Sequence, residues 1–211
     1  MSNINKVSLP VIKRLPKYYR YIYDMKQNGI TKISSSELAN AMGTTASQVR
    51  QDFNCFGGFG QQGIGYNIDV LLDEIAKLLF SDEKLDTILL GTGMLGHAIS
   101  SYLTAEARGY HLVGAFDIDP KEIGNTLCGV TIKHIDELTE FCELHKPEVA
   151  VLCLPRAGAQ EIAPHLVALG IKGFWNFSHY DLSVMYDNIT VENVHLGDSL
   201  MSLGYMVRNK D

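Results

Sequence analysis

Three glycines carry the clearest chemistry in the chain. Ile88-Leu89-Leu90 runs straight into Gly91-Thr92-Gly93-Met94-Leu95-Gly96, a G-x-G-x-x-G behind an apolar run, and Ala98-Ile99-Ser100-Ser101-Tyr102-Leu103 follows with helical character. Strand, glycine turn and helix start together form the context that gives this motif meaning. Gly91 permits the tight turn, Gly93 lets the backbone approach a pyrophosphate, and Gly96 lets the helix pack close to the strand. The helix start offers free N–H groups and a partial positive charge to phosphate. His111-Leu112-Val113-Gly114-Ala115-Phe116 reads as the next strand and ends at Asp117, 21 residues past Gly96. An acid at that distance accepts hydrogen bonds from a ribose and repels a 2′-phosphate, which favours NAD(H) over NADP(H). The glycines alone also allow a merely structural turn. Strand, helix and acid in register argue against it. Thr92, Met94 and Leu95 within the motif, and Pro155, are counted with the cofactor contacts.

A second set of residues points to nucleic acid. Ser34-Ser35-Ser36-Glu37 is a capping-box pattern opening a short helix through Leu38, Ala39 and Met42, which Gly43 ends. Thr45-Ala46-Ser47-Gln48 reads as a second box, opening a helix through Val49 and Phe53. Two short helices joined at a glycine are the sequence form of helix-turn-helix. The second would present Ser47, Gln48, Arg50 and Gln51 near its N-terminal half, where a recognition helix meets base edges. Arginine suits guanine and glutamine suits adenine, and either can address a phosphate. Five glycines between Gly57 and Gly65 predict a tight hairpin, a wing, bearing Gln62 and Gly63. Spacing alone leaves a three-helix packing unit with a solvated polar face equally open. Charge favours DNA: residues 1–66 hold eight basic and three acidic side chains, although the whole chain is −6. A basic block on an acidic body suggests that the first part meets a polyanion.

Elements must position these groups. A helix is expected over about 10–28, with Ile12, Leu15, Tyr19, Ile22 and Met25 inward and Lys13, Arg14, Lys17 and Arg20 outside; Lys17 joins the DNA-facing set. Pro16 predicts a kink or a later start. A linking helix follows over about 67–80, and a boundary at 81–84. Strands near 86–90, 112–116, 149–154 and 173–176, a short one at 130–132, and helices near 93–107, 136–145 and 158–169 alternate, which implies a parallel sheet with helices on both faces. Leu196, Leu200, Leu203 and Val207 make one apolar stripe on a terminal helix. It needs cover, from its own sheet or a second chain. Two-fold binding by helix-turn-helix repressors favours the second chain.

Composition sets the outer bounds. The 211 residues are 46% hydrophobic, enough for real cores, with no run near the ~18 apolar residues of a membrane span and no signal-peptide pattern, so the cytoplasm is expected. Cys55, Cys128, Cys142 and Cys153 show no metal spacing and are expected reduced, in or near the core. No metal site and no catalytic group is assigned.

The chain resembles the redox-sensing transcriptional repressors called Rex, over nearly its whole length. The likeness lies in Lys13-Arg14-Leu15-Pro16 with Tyr19-Arg20, Ile33-Ser34-Ser35 through Leu38-Ala39, Val49-Arg50-Gln51-Asp52, and Phe56-Gly57 through Gly63-Ile64-Gly65-Tyr66. It continues in the G-x-G-x-x-G, Ala115-Phe116-Asp117-Ile118-Asp119-Pro120, Gly170-Ile171-Lys172-Gly173 and Asn176-Phe177. The resemblance implies an α/β chain with a winged helix-turn-helix DNA-binding domain and linking helix (1–80). It also implies a Rossmann-like parallel-sheet NAD(H)-binding domain (85–195) and a C-terminal domain-swapped dimerisation helix (196–211). It implies a homodimer on double-stranded operator DNA that NADH releases and NAD+ leaves able to bind. Arg50 matches the family's base-contacting arginine, Tyr102 a tyrosine near the nicotinamide, and Arg20 an arginine of the switch. Gln51 and Gln62 stand where the family has basic residues, so phosphate attraction should be weaker. His195 stands where an aspartate of the switch with Tyr102 and Arg20 is usual, which could add pH sensitivity.

Two other functions compete with repression. An NAD-dependent dehydrogenase would need a positioned acid or base and a substrate domain. His179 with Tyr180, or His111 and His134, could serve as such groups, but only 125 residues follow Asp86, most of them needed for the sheet. A CoA- or nucleotide-binding module without DNA function is compatible with the glycine pattern alone.

Overall fold

The computed structural model describes residues 7–57, 65–80 and 83–209. The chain divides into two compact units, Met1–Ser81 and Asp82–Asp211.

In the first unit, α1 (Leu9–Gln27) begins with proline in its first turn, where the missing N–H has no partner to lose. Helix runs through Pro16, so the later start expected there does not occur. Val11, Leu15, Tyr18 and Ile22 are the buried stripe. That is one residue off the expected inward set at two positions, Val11 for Ile12 and Tyr18 for Tyr19, and Met25 is likewise only partly buried. Tyr18 goes inward because its hydroxyl has a buried partner, described below. Ser34 caps α2 (Ser35–Met42) in a complete capping box with Glu37, and Gly43 ends it in the left-handed region at φ +65°. Thr45 caps α3 (Ala46–Asn54) through the Gln48 N–H. This second box is half formed, since the Gln48 side chain turns elsewhere. Val49 and Phe53 of α3 join Leu38, Ala39 and Met42 of α2 in one core with α1. A strand absent from the sequence reading, β1 (Lys32–Ile33), pairs antiparallel with β2 (Tyr66–Asn67). Most of the expected wing, including Gln62 and Gly63, lies outside the described residues. Asn67 then caps α4 (Ile68–Leu79), whose Ile68, Leu71, Leu72 and Ile75 close the core.

The second unit is built on a seven-stranded sheet. Its strands are β3 (Leu85–Leu90), β4 (Tyr110–Asp117), β5 (Thr126–Leu127), β6 (Val130–His134), β7 (Val149–Leu152), β8 (Gly173–Asn176) and β9 (Thr190–Asn193), in the order β5-β6-β4-β3-β7-β8-β9. All neighbours are parallel except β5 against β6. The chain reverses direction across the sheet at β3, with β4 on one side and β7 on the other, the doubly-wound order with its crevice at the switch point. The two edge strands of this sheet, β5 and β9, escaped the sequence reading. Successive β3 side chains serve opposite faces. Ile88 and Leu90 pack with α6 (Leu138–His145) and α7 (Arg156–Ala168), while Leu89 packs on the other face with Leu103 of α5 (Met94–Ala105). The terminal helix α8 (Leu196–Arg208) buries no residue. Its stripe residues Leu196, Leu200, Leu203 and Val207 are 51–68% exposed.

Candidate nucleotide cradle and nucleic-acid interface

The glycine turn is held by backbone. Gly91 follows β3 at φ +89°, and a Cβ there would stand 2.5 Å from the Cys153 carbonyl oxygen. A Cβ on Gly96 would stand 2.0 Å from the Gly91 carbonyl oxygen. Both must therefore be glycine, one for its torsion and the close β7 backbone, the other for the first turn of α5 on its own strand. Gly93 differs. It caps α5, is exposed, and nothing lies within 4 Å of where its Cβ would be. That open space at a helix N-terminus fits a phosphate group, with the α5 N–H groups facing it. Met94 beside it is 95% exposed, and Pro155, the N-cap of α7 after β7, is exposed on the other side of the crevice.

Asp117 closes the turn from β4. Its Oδ2 accepts from the Thr92 N–H at 2.5 Å and the Thr92 hydroxyl at 2.8 Å, and its Oδ1 accepts from the Ile118 and Asp119 N–H groups at 2.7 and 2.9 Å. Burial pushes this carboxyl up, but the donors led by the Thr92 N–H outweigh it and hold it below the ordinary range. Four donors fill the four acceptor positions of a carboxylate. The acid is thus a stitch between strand and turn, a part the sequence spacing did not show. Its charge is fixed beside the crevice. Tyr102, on α5 and 46% exposed, has its ring 6.1 Å from Trp175, which in turn packs on Phe177 at 4.8 Å. Trp175 alternates with buried Phe174 and Asn176 on β8, a period-two signal that places it on the α5 face.

The α3 side chains are more constrained than expected. Arg50 is exposed, yet its guanidinium donates to the Ser35 hydroxyl at 3.0 Å. Lys17 donates to the Met42 carbonyl at 2.8 Å, holding the end of α2. Ser47 and Gln51 are exposed. Gln48 Nε2 donates to Asp52 Oδ1 at 2.8 Å. Asp52, 1% exposed, also takes a two-pronged Arg14 contact, both bonds at 2.7 Å, and the Tyr18 hydroxyl at 2.9 Å. Burial pushes the Asp52 carboxyl up; Arg14, Tyr18 and Gln48 pull it below the usual range. Arg14 is therefore not an outer cation but a strut between α1 and α3. One signal was in the sequence: an acid between Val49 and Phe53 on a buried face demands a cation.

The switch residues are placed separately. Arg20 is exposed on α1, its guanidinium 6.0 Å from the Tyr21 ring centre. His195 is the N-cap residue of α8, its ring stacked on His179 at 5.6 Å and 8°, and its buried Nδ1 has no partner among the described residues. Cys142 is buried, Cys153 half-buried, and Cys55 and Cys128 exposed, so only two of the four lie in or near a core. The exposed pair sit where helix and hairpin end, at the α3 C-cap and the β5–β6 turn. Among the described residues no three His, Cys, Asp or Glu gather as a metal set, and no helix is long and apolar enough to cross a membrane.

Known proteins share this arrangement. The family profile described as "Putative DNA-binding protein N-terminus" matches residues 6–54, and that of a CoA binding domain matches 82–180. The redox-sensing transcriptional repressor Rex of Caldicellulosiruptor saccharolyticus is 48% identical over 97% of this chain and 93% of its own length. That of Thermoanaerobacter pseudethanolicus is 44% identical over 100% and 94%. A crystal structure of RSP in complex with beta-NADH superposes with a TM-score of 0.87 at 41% identity, covering 98% of this chain and 96% of that one. Another, of RSP with beta-NAD+ and operator DNA, gives 0.86 at 44% identity over 97% and 94%. With its two units, its glycine cradle and its helix-turn-helix, this chain belongs to the Rex family of redox-sensing transcriptional repressors.

Proposed function

We propose that this chain is a repressor that holds operator DNA through α2 and α3 and lets go when NADH occupies the cradle. It is a regulator rather than an enzyme, working in the cytoplasm. The observation that carries this is the open Gly93 helix start between two glycines that no other residue could replace, in a chain that also holds a helix-turn-helix. The solved relative's complexes, one with NADH and one with NAD+ and operator DNA, support it. Residues 1–80 would bind DNA, 85–195 the dinucleotide, and 196–211 a second copy of the chain.

Gly91, Thr92, Gly93, Met94, Leu95 and Gly96 would hold the pyrophosphate, with Pro155 across the crevice and Tyr102 near the nicotinamide. Asp117 supplies fixed negative charge where a 2′-phosphate would lie. The cofactor's own contribution is its redox state, which differs by a hydride between NADH and NAD+. Lys17, Ser47, Gln48, Arg50, Gln51, Gln62 and Gly63 form the candidate DNA face. The exposed stripe of α8 supports a homodimer, because an apolar helix face this open is normally covered. Arg20, Tyr102 and His195 remain the candidate switch.

A mobility shift tests it, using a duplex enriched from a random library by the protein with NAD+. NADH should release the duplex; coupling is reciprocal, so the duplex should weaken NADH binding by the same factor. Binding unchanged at saturating NADH ends the proposal. Tighter binding of coenzyme A than of NADH, by calorimetry, would favour the CoA reading of the second profile.

A further inference from the structure

The recognition helix carries a device that fixes the orientation of one of its own readers. Gln48 and Asp52 lie four residues apart on one face of α3. Asp52 takes two bonds from Arg14, one from Tyr18 and one from Gln48, which fill all four acceptor positions of its carboxylate. An ionised carboxylate only accepts hydrogen bonds. The Gln48 atom 2.8 Å from Oδ1 is therefore the nitrogen, on chemical grounds. With Nε2 held by Asp52, Gln48 Oε1 is left as an acceptor that takes no hydrogen bond among the described residues.

We propose that Asp52 is a positioning residue for operator specificity. By holding Gln48 Nε2, it presents Oε1 to the groove as an acceptor. Gln48 then selects, on the strand it faces, a base whose major-groove edge carries an exocyclic amine, adenine or cytosine. It disfavours guanine and thymine, whose polar atoms there are acceptors only. Arg14 and Tyr18 brace the carboxylate, so these two α1 side chains enter the choice of base without touching DNA. This rests on the DNA-binding function above.

Full-length protein without NADH is measured on a duplex enriched from a random library and on all its single base-pair variants. Gln48→Ala locates the base pair that Gln48 faces, as the position where discrimination disappears. There the wild type should prefer an amine-bearing base about tenfold, the worth of a single good contact. Asp52→Asn can offer Gln48 its own amide nitrogen and so frees the flip. It should erase the preference at that pair alone, with the salt dependence unchanged, and should add nothing to Gln48→Ala. A merely structural Asp52 would weaken all duplexes alike, and that result, or a preference intact in Asp52→Asn, overturns the proposal. Should Asp52→Asn show no cooperative melt, the wild-type Gln48 side-chain amide is followed by NMR. A slowly exchanging amide proton that persists in the operator complex supports the tether; its loss on binding DNA overturns it. A wild type that binds no duplex sinks the DNA-binding function itself, a distinct result.

Discussion

Two carboxylates, one in each unit, are saturated by four donors each, and they are saturated differently. Around Asp117 three of the four donors are backbone N–H groups, from Thr92, Ile118 and Asp119. Around Asp52 all four are side-chain atoms, of Arg14, Tyr18 and Gln48. The shape of the cradle is therefore a property of chain path, and a glycine substitution distorts that shape only where a Cβ has no room. The recognition surface is a property of side chains, and losing one of them releases the rest.

The largest expected effect tests the first half of that contrast. Gly96→Ala places a Cβ 2.0 Å from the Gly91 carbonyl, which backbone must move to relieve. Overpacking against backbone falls at the upper end of the usual cost, about 3 kcal/mol, which lowers the melting temperature of the second unit by roughly 10 °C. NADH binding should be lost. Gly93→Ala, with open space at the same distance, should melt like wild type and lose NADH affinity alone. Calorimetric melts and fluorescence titration of both variants check this. Equal melting temperatures for the two would break the idea that chain path makes the cradle.

Arg14→Ala tests the second half. It leaves a buried carboxylate without its cation, and because Arg14 is 36% exposed the loss should be about 2 kcal/mol, below that of a fully buried pair. The melt of the first unit should fall while NADH binding to the second stays. pH treats the two carboxylates alike. A carboxyl held below its unfolded value, near 3.9, stabilises the fold above that value and loses the contribution as pH falls through its folded value. Asp52 and Asp117 are both such groups. Each unit should therefore lose stability below about pH 4, and Asp52→Asn should flatten the acid limb of the first unit alone.

The contrast also explains what was legible beforehand. Gly91, Gly93 and Gly96 stood out because backbone geometry restricts residue type at short, regular spacing; Asp117 stood out by position, but the acceptor positions expected for a ribose are filled by Thr92, Ile118 and Asp119. The helix-turn-helix was found through Ser34, Gly43 and Thr45, local signals again. The Asp52 network was not found, because Arg14 and Tyr18 lie 38 and 34 residues away and helical periodicity ranks them by polarity, not by partner. The same blindness put Tyr19 inward in place of Tyr18. Strands β5 and β9 were missed for a different reason. Thr126–Leu127 is too short to show a period, and Thr190–Asn193 alternates only weakly, so the sheet that recruits them decides.

Asp117→Asn should have a smaller effect. It sets an amide nitrogen, itself a donor, against donors that the carboxylate accepts from in the wild type, and it removes the fixed charge. NADH affinity should fall about tenfold, equivalent to roughly 1.4 kcal/mol, and NADPH affinity should fall less. Paired titrations of the two dinucleotides check the ratio. An unchanged ratio would mean that the charge plays no part in excluding a 2′-phosphate.

The smallest effect comes from Gln51→Lys. Gln51 is exposed on α3, and among the described residues its side chain carries none of the ties that hold Gln48 and Arg50. A cation there should act simply by Coulomb attraction to a phosphate, without disturbing the network behind it. Neutralising one more phosphate steepens the fall of log K with log salt by about 0.9. Each site in a two-fold dimer contributes once, so the slope for the dimer should steepen by roughly 1.8. Affinity should rise at low salt and converge on wild type as salt increases, with base preference unchanged, because phosphate contacts carry no sequence information. Anisotropy titrations at four salt concentrations give both numbers. A shifted base preference would mean that residue 51 reaches base edges. It would also mean that the free and tied residues of α3 do not divide the work as the Asp52 network implies.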